Sequence, residues 1–327
     1  MWRYFLLALG LLTLGLLVWH IGPGQIYQAA ARVGPGALMV MLIPSVLMYV
    51  FEAYGWRLTL GSVAHEIPFW KILAIRTAGE VVNMTTPTAY VGGEPLKAYL
   101  LQRHDIPMVQ GLASVVIAKT IMTLAQVLFI LIGIVVAFWT LGAAGSSGQI
   151  AAAALVTAAL LFFGVAAFMF VQKRGLFTWL LETLRRLKFR MDFLETREAQ
   201  LRSLDVTILN FYTQHRSSFY ASTVLYLLGW LTEAFEVYVI ILYLGGPASL
   251  LSAVSIGALS VFIKGGTFFI PGSLGAQDGG NLLLLKAFGY SDVTGITFAL
   301  LRRFRELVWI GVGLLCLAGM ARVRRPE

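Results

Sequence analysis

The sequence predicts an all-α polytopic membrane protein made of two inverted repeats, each with a re-entrant broken-helix hairpin. Three observations carry that reading. Apolar residues fill 58% of the 327 positions and charged residues only 13%, with a mean hydropathy of +0.80, whereas a soluble domain holds about 25% charged residues. A shift of 184 residues lays the chain on itself without a gap, carrying Pro87 onto Pro271, Glu94 onto Asp278, Glu52 of FEAY onto Glu236 of FEVY, and Lys119 onto Arg303. Two otherwise apolar stretches are also interrupted by Pro, Gly and polar residues, at TTPTAYVGGE and at FFIPGSLGAQDGG. Internal symmetry of this kind recurs in transporter folds.

One transmembrane domain is expected over residues 1–327, with repeat unit one at about 37–124, an amphipathic bridge at about 173–216 and repeat unit two at about 221–308. The first apolar run, 4–19, follows Arg3 and is long for the core of a signal peptide, so it reads as a retained span. A second span, 36–56, ends at Arg57. The stretch 69–103 breaks at 83–93, and neither half crosses ~30 Å of hydrocarbon, which takes about 20 helical residues. Two half-helices entering and leaving on one side fit this pattern, since irregular backbone at membrane depth is tolerable only inside protein or along a cavity. Spans at 108–139 and 150–171 follow. The bridge then holds nine Lys/Arg against five Asp/Glu, and Leu176, Phe177, Leu180, Leu184 and Leu187 recur near helical spacing, as in a helix lying on the bilayer surface. Another span at 219–244, a second broken hairpin at 249–288 and a last span at 293–320 complete the chain, which ends with Arg322, Arg324 and Arg325. Basic loops mark the cytoplasmic side. That rule puts Arg57, Lys71, Arg76, the bridge and both termini in the cytoplasm, so spans 36–56 and 219–244 run in opposite directions and the repeat is inverted.

Ionisable groups inside spans are disfavoured by roughly 2.5–3.5 kcal/mol each on insertion scales and are retained mainly at cavities or partners. Glu52 and Glu236 occupy corresponding positions; Lys119 and the cluster Arg302, Arg303, Arg305 and Glu306 sit well inside their spans. After that cluster only 307–320 remains apolar, 14 residues or about 21 Å of helix, so the cluster lies at depth. Arg302 and Glu306 are one turn apart and are expected to pair. That leaves Arg303 and Arg305 for a ligand or for an acid from another segment. In the hairpins, Pro87 and Pro271 with Gly92, Gly93 and Gly272 allow the chain to reverse. The half-helix that follows each reversal offers unpaired N–H groups that attract anions, with Lys97 close to the first. Glu94 and Asp278 either belong to such a site or cap their half-helices. Asn83 opens an Asn-Met-Thr sequon, but within an apolar membrane stretch, so no glycosylation is expected there. GxxxxGK[ST], HExxH and GxSxG are missing, the four histidines are scattered, and Cys316 stands alone. Neither enzyme activity, cofactor, metal site nor disulfide framework is therefore expected. The net charge of +9 reflects topology, so the partners expected are the membrane and a membrane lipid, an anionic phospholipid or another amphiphile, with no nucleic acid.

The blocks TPTAYVGGEPLKAYLLQRHDIP and GLASVVIAKT, with FFIPGSLGAQDGGNLLLLKAFGY and FALLRRFRELVW, resemble the flippase-like family built on the membrane region of lysyl-phosphatidylglycerol synthase. The hopanoid-associated membrane proteins of bacteria are similar too. The resemblance covers nearly the whole chain, although many members have an Arg followed shortly by Asp where this chain has Ala118-Lys119-Thr120. It implies a bacterial inner-membrane protein that moves lipid between leaflets. With the sequence ending at Glu327, it implies the flippase-like half without synthase activity. Two other readings use the same features: a secondary transporter of a small anionic solute, and a non-transporting partner of a lipid-modifying enzyme.

Overall fold

The computed structural model describes residues 22–86, 92–141, 148–186, 196–267 and 275–322, together with Leu12 and Trp19. The expected first span otherwise lies outside the described residues, as do Pro87, Pro271, Gly272, Arg324 and Arg325.

Among the described residues the secondary structure is helical, without a strand. A short α1 (Pro23–Val33) precedes α2 (Pro35–Thr59), whose proline in the first turn suits a position with no N–H to satisfy. A 3₁₀ turn at Gly61–His65 leads to α3 (Phe69–Thr85). This helix stops there because Thr86 precedes Pro87 and is pushed to extended backbone, φ −113° and ψ 144°. Then come α4 (Gly93–Gln102), α5 (Met108–Leu141) and α6 (Gly148–Lys173). The bridge contains two helices, α7 (Leu176–Arg186) and α8 (Glu198–Gln214). Asp205 of α8 caps α7 from outside it, accepting the Phe177 and Thr178 N–H groups at 3.0 and 2.8 Å. Last are α9 (Arg216–Tyr243), α10 (Leu250–Gly266), α11 (Ala276–Ala287) and α12 (Asp292–Arg322).

Among the described residues three helices, α2, α5 and α9, are each long and apolar enough to cross a membrane, and the pair α6–α7, bent by 86°, supplies a fourth crossing if taken as one broken span. The chain is a helical membrane protein. Helix α12 is 31 residues long, but its middle carries the Arg302–Glu306 charges. Helices α3, α4, α10 and α11 have 17, 10, 17 and 12 residues, each short of the ~20 a crossing needs.

At a shift of 184 the bounds of α2, α3, α4 and α5 fall on those of α9, α10, α11 and α12 to within three residues. Backbone detail follows the same correspondence. The turn after α4 is closed by Asp105 at φ 65° and the turn after α11 by Gly289 at φ 84°. In each turn the next residue donates to a fully buried leucine carbonyl, Ile106 to Leu101 at 3.3 Å and Tyr290 to Leu285 at 3.0 Å. Packing is reciprocal as well: α2 lies against α9, α3 against α12, α10 against α5, and α4 and α11 against the long helices that follow them. The apolar core divides accordingly. One cluster gathers around α3, α4 and α5, including Ile72, Leu101 and Ile121, and another around α9, α10 and α11, including Ile240, Ile256 and Leu285.

Candidate functional site

Between those clusters runs a band of charge that no single helix accounts for. In the first half, Arg76 of α3 pairs with Glu52 of α2 and lies over the Tyr49 ring, 4.8 Å from its centroid. Lys97 of α4 donates to both Glu94 oxygens at 3.1 and 3.0 Å and lies 3.8 Å from Glu80. Lys119 of α5 reaches Glu94 at 3.6 Å. Asn83 organises this half: its Nδ2 donates to Glu94 at 3.0 Å and to Glu80 at 3.3 Å, while its Oδ1 accepts the Gly93 N–H at 2.7 Å. That last bond satisfies an orphan donor at the start of α4. Gly93 must be glycine here, because a methyl group would collide with the Gly79 carbonyl where α3 and α4 touch.

In the second half, Arg302 pairs with Glu233, and its Nη1 donates to Ser260 at 2.7 Å. Arg303 bonds Asp278 at 2.8 and 3.0 Å and Glu306 at 2.6 Å. Arg305 pairs with Glu236 and with Glu233 at 3.1 Å, and Lys264 reaches Glu306 at 3.2 Å. Asp278 also accepts the Gly275 N–H at 3.1 Å and so caps α11.

A cavity of about 260 Å³ lies between the halves, bounded by Glu52, Arg76, Glu80 and Lys119 on one side and by Glu233, Lys264, Arg305 and Glu306 on the other. Its aromatic walls are Trp230, Tyr49 and Trp309; the last two stack at 3.7 Å, and the Trp309 indole donates to Ser45 at 2.9 Å. A crevice carries on from the cavity to Glu94 and Lys97. An apolar groove of about 420 Å³ adjoins it, with Val115 and Val116 of α5 on one wall and Gly164, Val165 and Phe168 of α6 on the other. Cavity and groove have Lys119 and Thr123 in common.

Several expectations are corrected by this geometry. Arg302 does not pair with Glu306: Glu233 on α9 takes its guanidinium, and Glu306 turns to Arg303 and Lys264. For Arg303 and Arg305, where a ligand or an acid from another segment was expected, the geometry supplies the acids, Asp278 of α11 and Glu236 of α9. Lys97 is neutralised by Glu94 beside it. Of the two proposed caps only Asp278 acts as one; the first position of α4 is served by Asn83, and Glu94 faces the lysines. Gly92 stands just ahead of α4 in helical backbone, φ −60° and ψ −28°. Arg76, taken as a cytoplasmic marker, is 6% exposed and borders the cavity.

Glu80, Glu233 and Lys264 were not singled out from the sequence. A signal for two of them was present, since the same shift of 184 carries Glu80 onto Lys264, the latter the lone charge of α10. Glu233 lies one turn before Glu236 and faces the same way.

Residues 5–314 match the family model described as the lysylphosphatidylglycerol synthase TM region. A UPF0104 membrane protein of Methanothermobacter thermautotrophicus is 24% identical over 302 residues, 88% of this chain and 86% of that one. A UPF0104 membrane protein of Methanocaldococcus jannaschii is 26% identical over 126 residues, 38% of this chain and 37% of its own length. The chain matches no solved structure. The family match takes in both halves of the charged cavity as well as the adjoining groove, and the chain belongs to the family of the lysylphosphatidylglycerol synthase TM region.

Proposed function

We propose that this protein carries a membrane lipid between leaflets, the head group passing through the charged cavity while the acyl chains stay in apolar surroundings. The observation that carries the reading is the junction of a cavity ringed by ionised groups with an apolar groove, meeting at Lys119 and Thr123. A small anionic solute needs only the cavity; an amphiphile uses both, and the groove therefore favours lipid.

The architecture we propose for it is an inverted repeat, α2–α5 and α9–α12, with the half-helix pairs α3–α4 and α10–α11 acting as re-entrant hairpins. The matching helix bounds, the left-handed residues at 105 and 289 and the reciprocal packing support it. A site between two oppositely oriented units suits alternating access by rocking one unit against the other. In the proposed setting, the cytoplasmic membrane, the basic α7–α8 segment faces the cytoplasm.

Reconstitution with head-group-labelled lipid and a leaflet-accessibility assay tests the function. Wild-type protein is expected to exchange label between leaflets. Gly164→Trp, which fills the groove at a position with open space around it, is expected to slow exchange at least about tenfold while the fold persists. Wild-type exchange no faster than in protein-free vesicles would sink the proposal.

A further inference from the structure

The ionised groups of the site balance, and they balance by half. Glu52, Glu80 and Glu94 stand with Arg76, Lys97 and Lys119 on the first side. On the second side Glu233, Glu236, Asp278 and Glu306 stand with Lys264, Arg302, Arg303 and Arg305. Every one of these groups is ion-paired within the network, so each half is neutral. A net-anionic head group would enter with no spare cation to meet it, and an uncompensated charge away from water is strongly disfavoured. A head group with equal positive and negative charge adds no such imbalance.

Accessibility and pairing distance indicate which groups a ligand meets. The Lys119, Lys264 and Glu80 side chains keep 30%, 28% and 22% exposure, against 12% or less for the other charged groups on the cavity wall. They also make the loosest ion pairs of the network, 3.6, 3.2 and 3.8 Å, all longer than the 3.1 Å of Arg305 with Glu233. Loose pairs at a cavity wall exchange partners most readily. Glu80 and Lys264 moreover hold positions related by the shift of 184 and carry opposite charge, so both signs are presented at the cavity wall.

From the neutral halves and these three accessible side chains we infer that the head group is zwitterionic, a phosphate diester bearing an ammonium. Its phosphate lies against Lys119 and Lys264, and its ammonium against Glu80. The inference rests on the lipid reading above and narrows its substrate.

The test is competition between phosphatidylethanolamine and phosphatidylglycerol for the purified full-length protein, read by native mass spectrometry of retained lipid and by exchange in vesicles of each composition. Wild-type protein is expected to favour phosphatidylethanolamine at least about tenfold, about 1.4 kcal/mol. Glu80→Gln is expected to erase or reverse that preference, with thermal unfolding run alongside to establish that the variant is folded. The wild-type ratio needs no variant and stands as a test by itself. Soluble phosphoethanolamine is expected not to displace the lipid; displacement at matched concentration would make the substrate a solute and overturn the inference. Equal retention, or preference for phosphatidylglycerol, would overturn the zwitterion and leave lipid carriage standing. Failure to retain or exchange either lipid would remove both.

Discussion

A guanidinium within a membrane-spanning segment is disfavoured by about 2.5–3.5 kcal/mol on insertion scales, and the arginines of this cavity are each held by carboxylates from another helix. Arg76 is the simplest case, with Glu52 as its one ion-pair partner among the described residues and the Tyr49 ring beneath its plane. Removing one member of a buried pair leaves the other uncompensated, at about 3–5 kcal/mol, whereas replacing both with apolar side chains of similar size is often close to neutral. Glu52→Gln and Arg76→Met are therefore each expected to destabilise the purified protein by about 3 kcal/mol, and the double variant by clearly less than their sum. Thermal or denaturant unfolding in detergent measures this. Additive losses would mean that the two side chains do not act as a pair.

At the scale of elements, turn chemistry closes the short helices α4 and α11. Asp105 and Gly289 close corresponding turns in left-handed backbone, a conformation that disfavours most L-residues by about 1–2 kcal/mol and that aspartate tolerates through its short polar side chain. A Cβ built on Gly289 meets nothing within 4 Å, so a substitution there is penalised through the backbone alone. Gly289→Ala is expected to lower stability by about 1 kcal/mol, whereas Asp105→Gly is expected to be neutral or stabilising. Unfolding midpoints of the two variants decide it, and equal losses would contradict the account. Much of this level was legible beforehand. Apolar runs, the break at 83–93 and the basic bridge anticipated the helices closely, because helix length and helix breaking are local properties. The capping of α4 was not legible: Asn83 lies ten residues before Gly93 and reaches it only once α3 and α4 pack.

For the whole molecule, the proposed inversion places corresponding loops on opposite faces of the membrane. His65 and Ser249 are corresponding positions, both exposed, one at the end of the 3₁₀ turn and the other just before α10. In a Cys316→Ser background, His65→Cys is expected to be labelled from the cytoplasmic side and Ser249→Cys from the opposite side. A membrane-impermeant thiol reagent applied to oriented membranes reads the result. Labelling of both from one side would remove the inversion and, with it, the alternating-access scheme.

By itself the sequence determined the class of the protein and most of the described helices, and it suggested the proposed correspondence between two halves, because these follow from hydropathy, helix breakers and spacing along one chain. It also pointed to charges away from the helix ends, since Arg302, Arg303 and Arg305 sit in the middle of α12, and all three are buried. Only the tertiary structure decided what those charges do. Helical spacing offered Arg302 the carboxylate of Glu306 one turn away, yet Arg302 is bound to Glu233 on α9, and Arg305 reaches 72 residues back to that same carboxylate. Arg303 likewise finds Asp278 at a separation of 25 residues. The physical reason is that ion pairing depends on distance in space and on shared exclusion of water, and both are set by how helices remote in sequence pack. The same packing decided between the two partners open to those cations, a ligand or an acid from another segment, and made a neutral network with three accessible groups at the cavity wall.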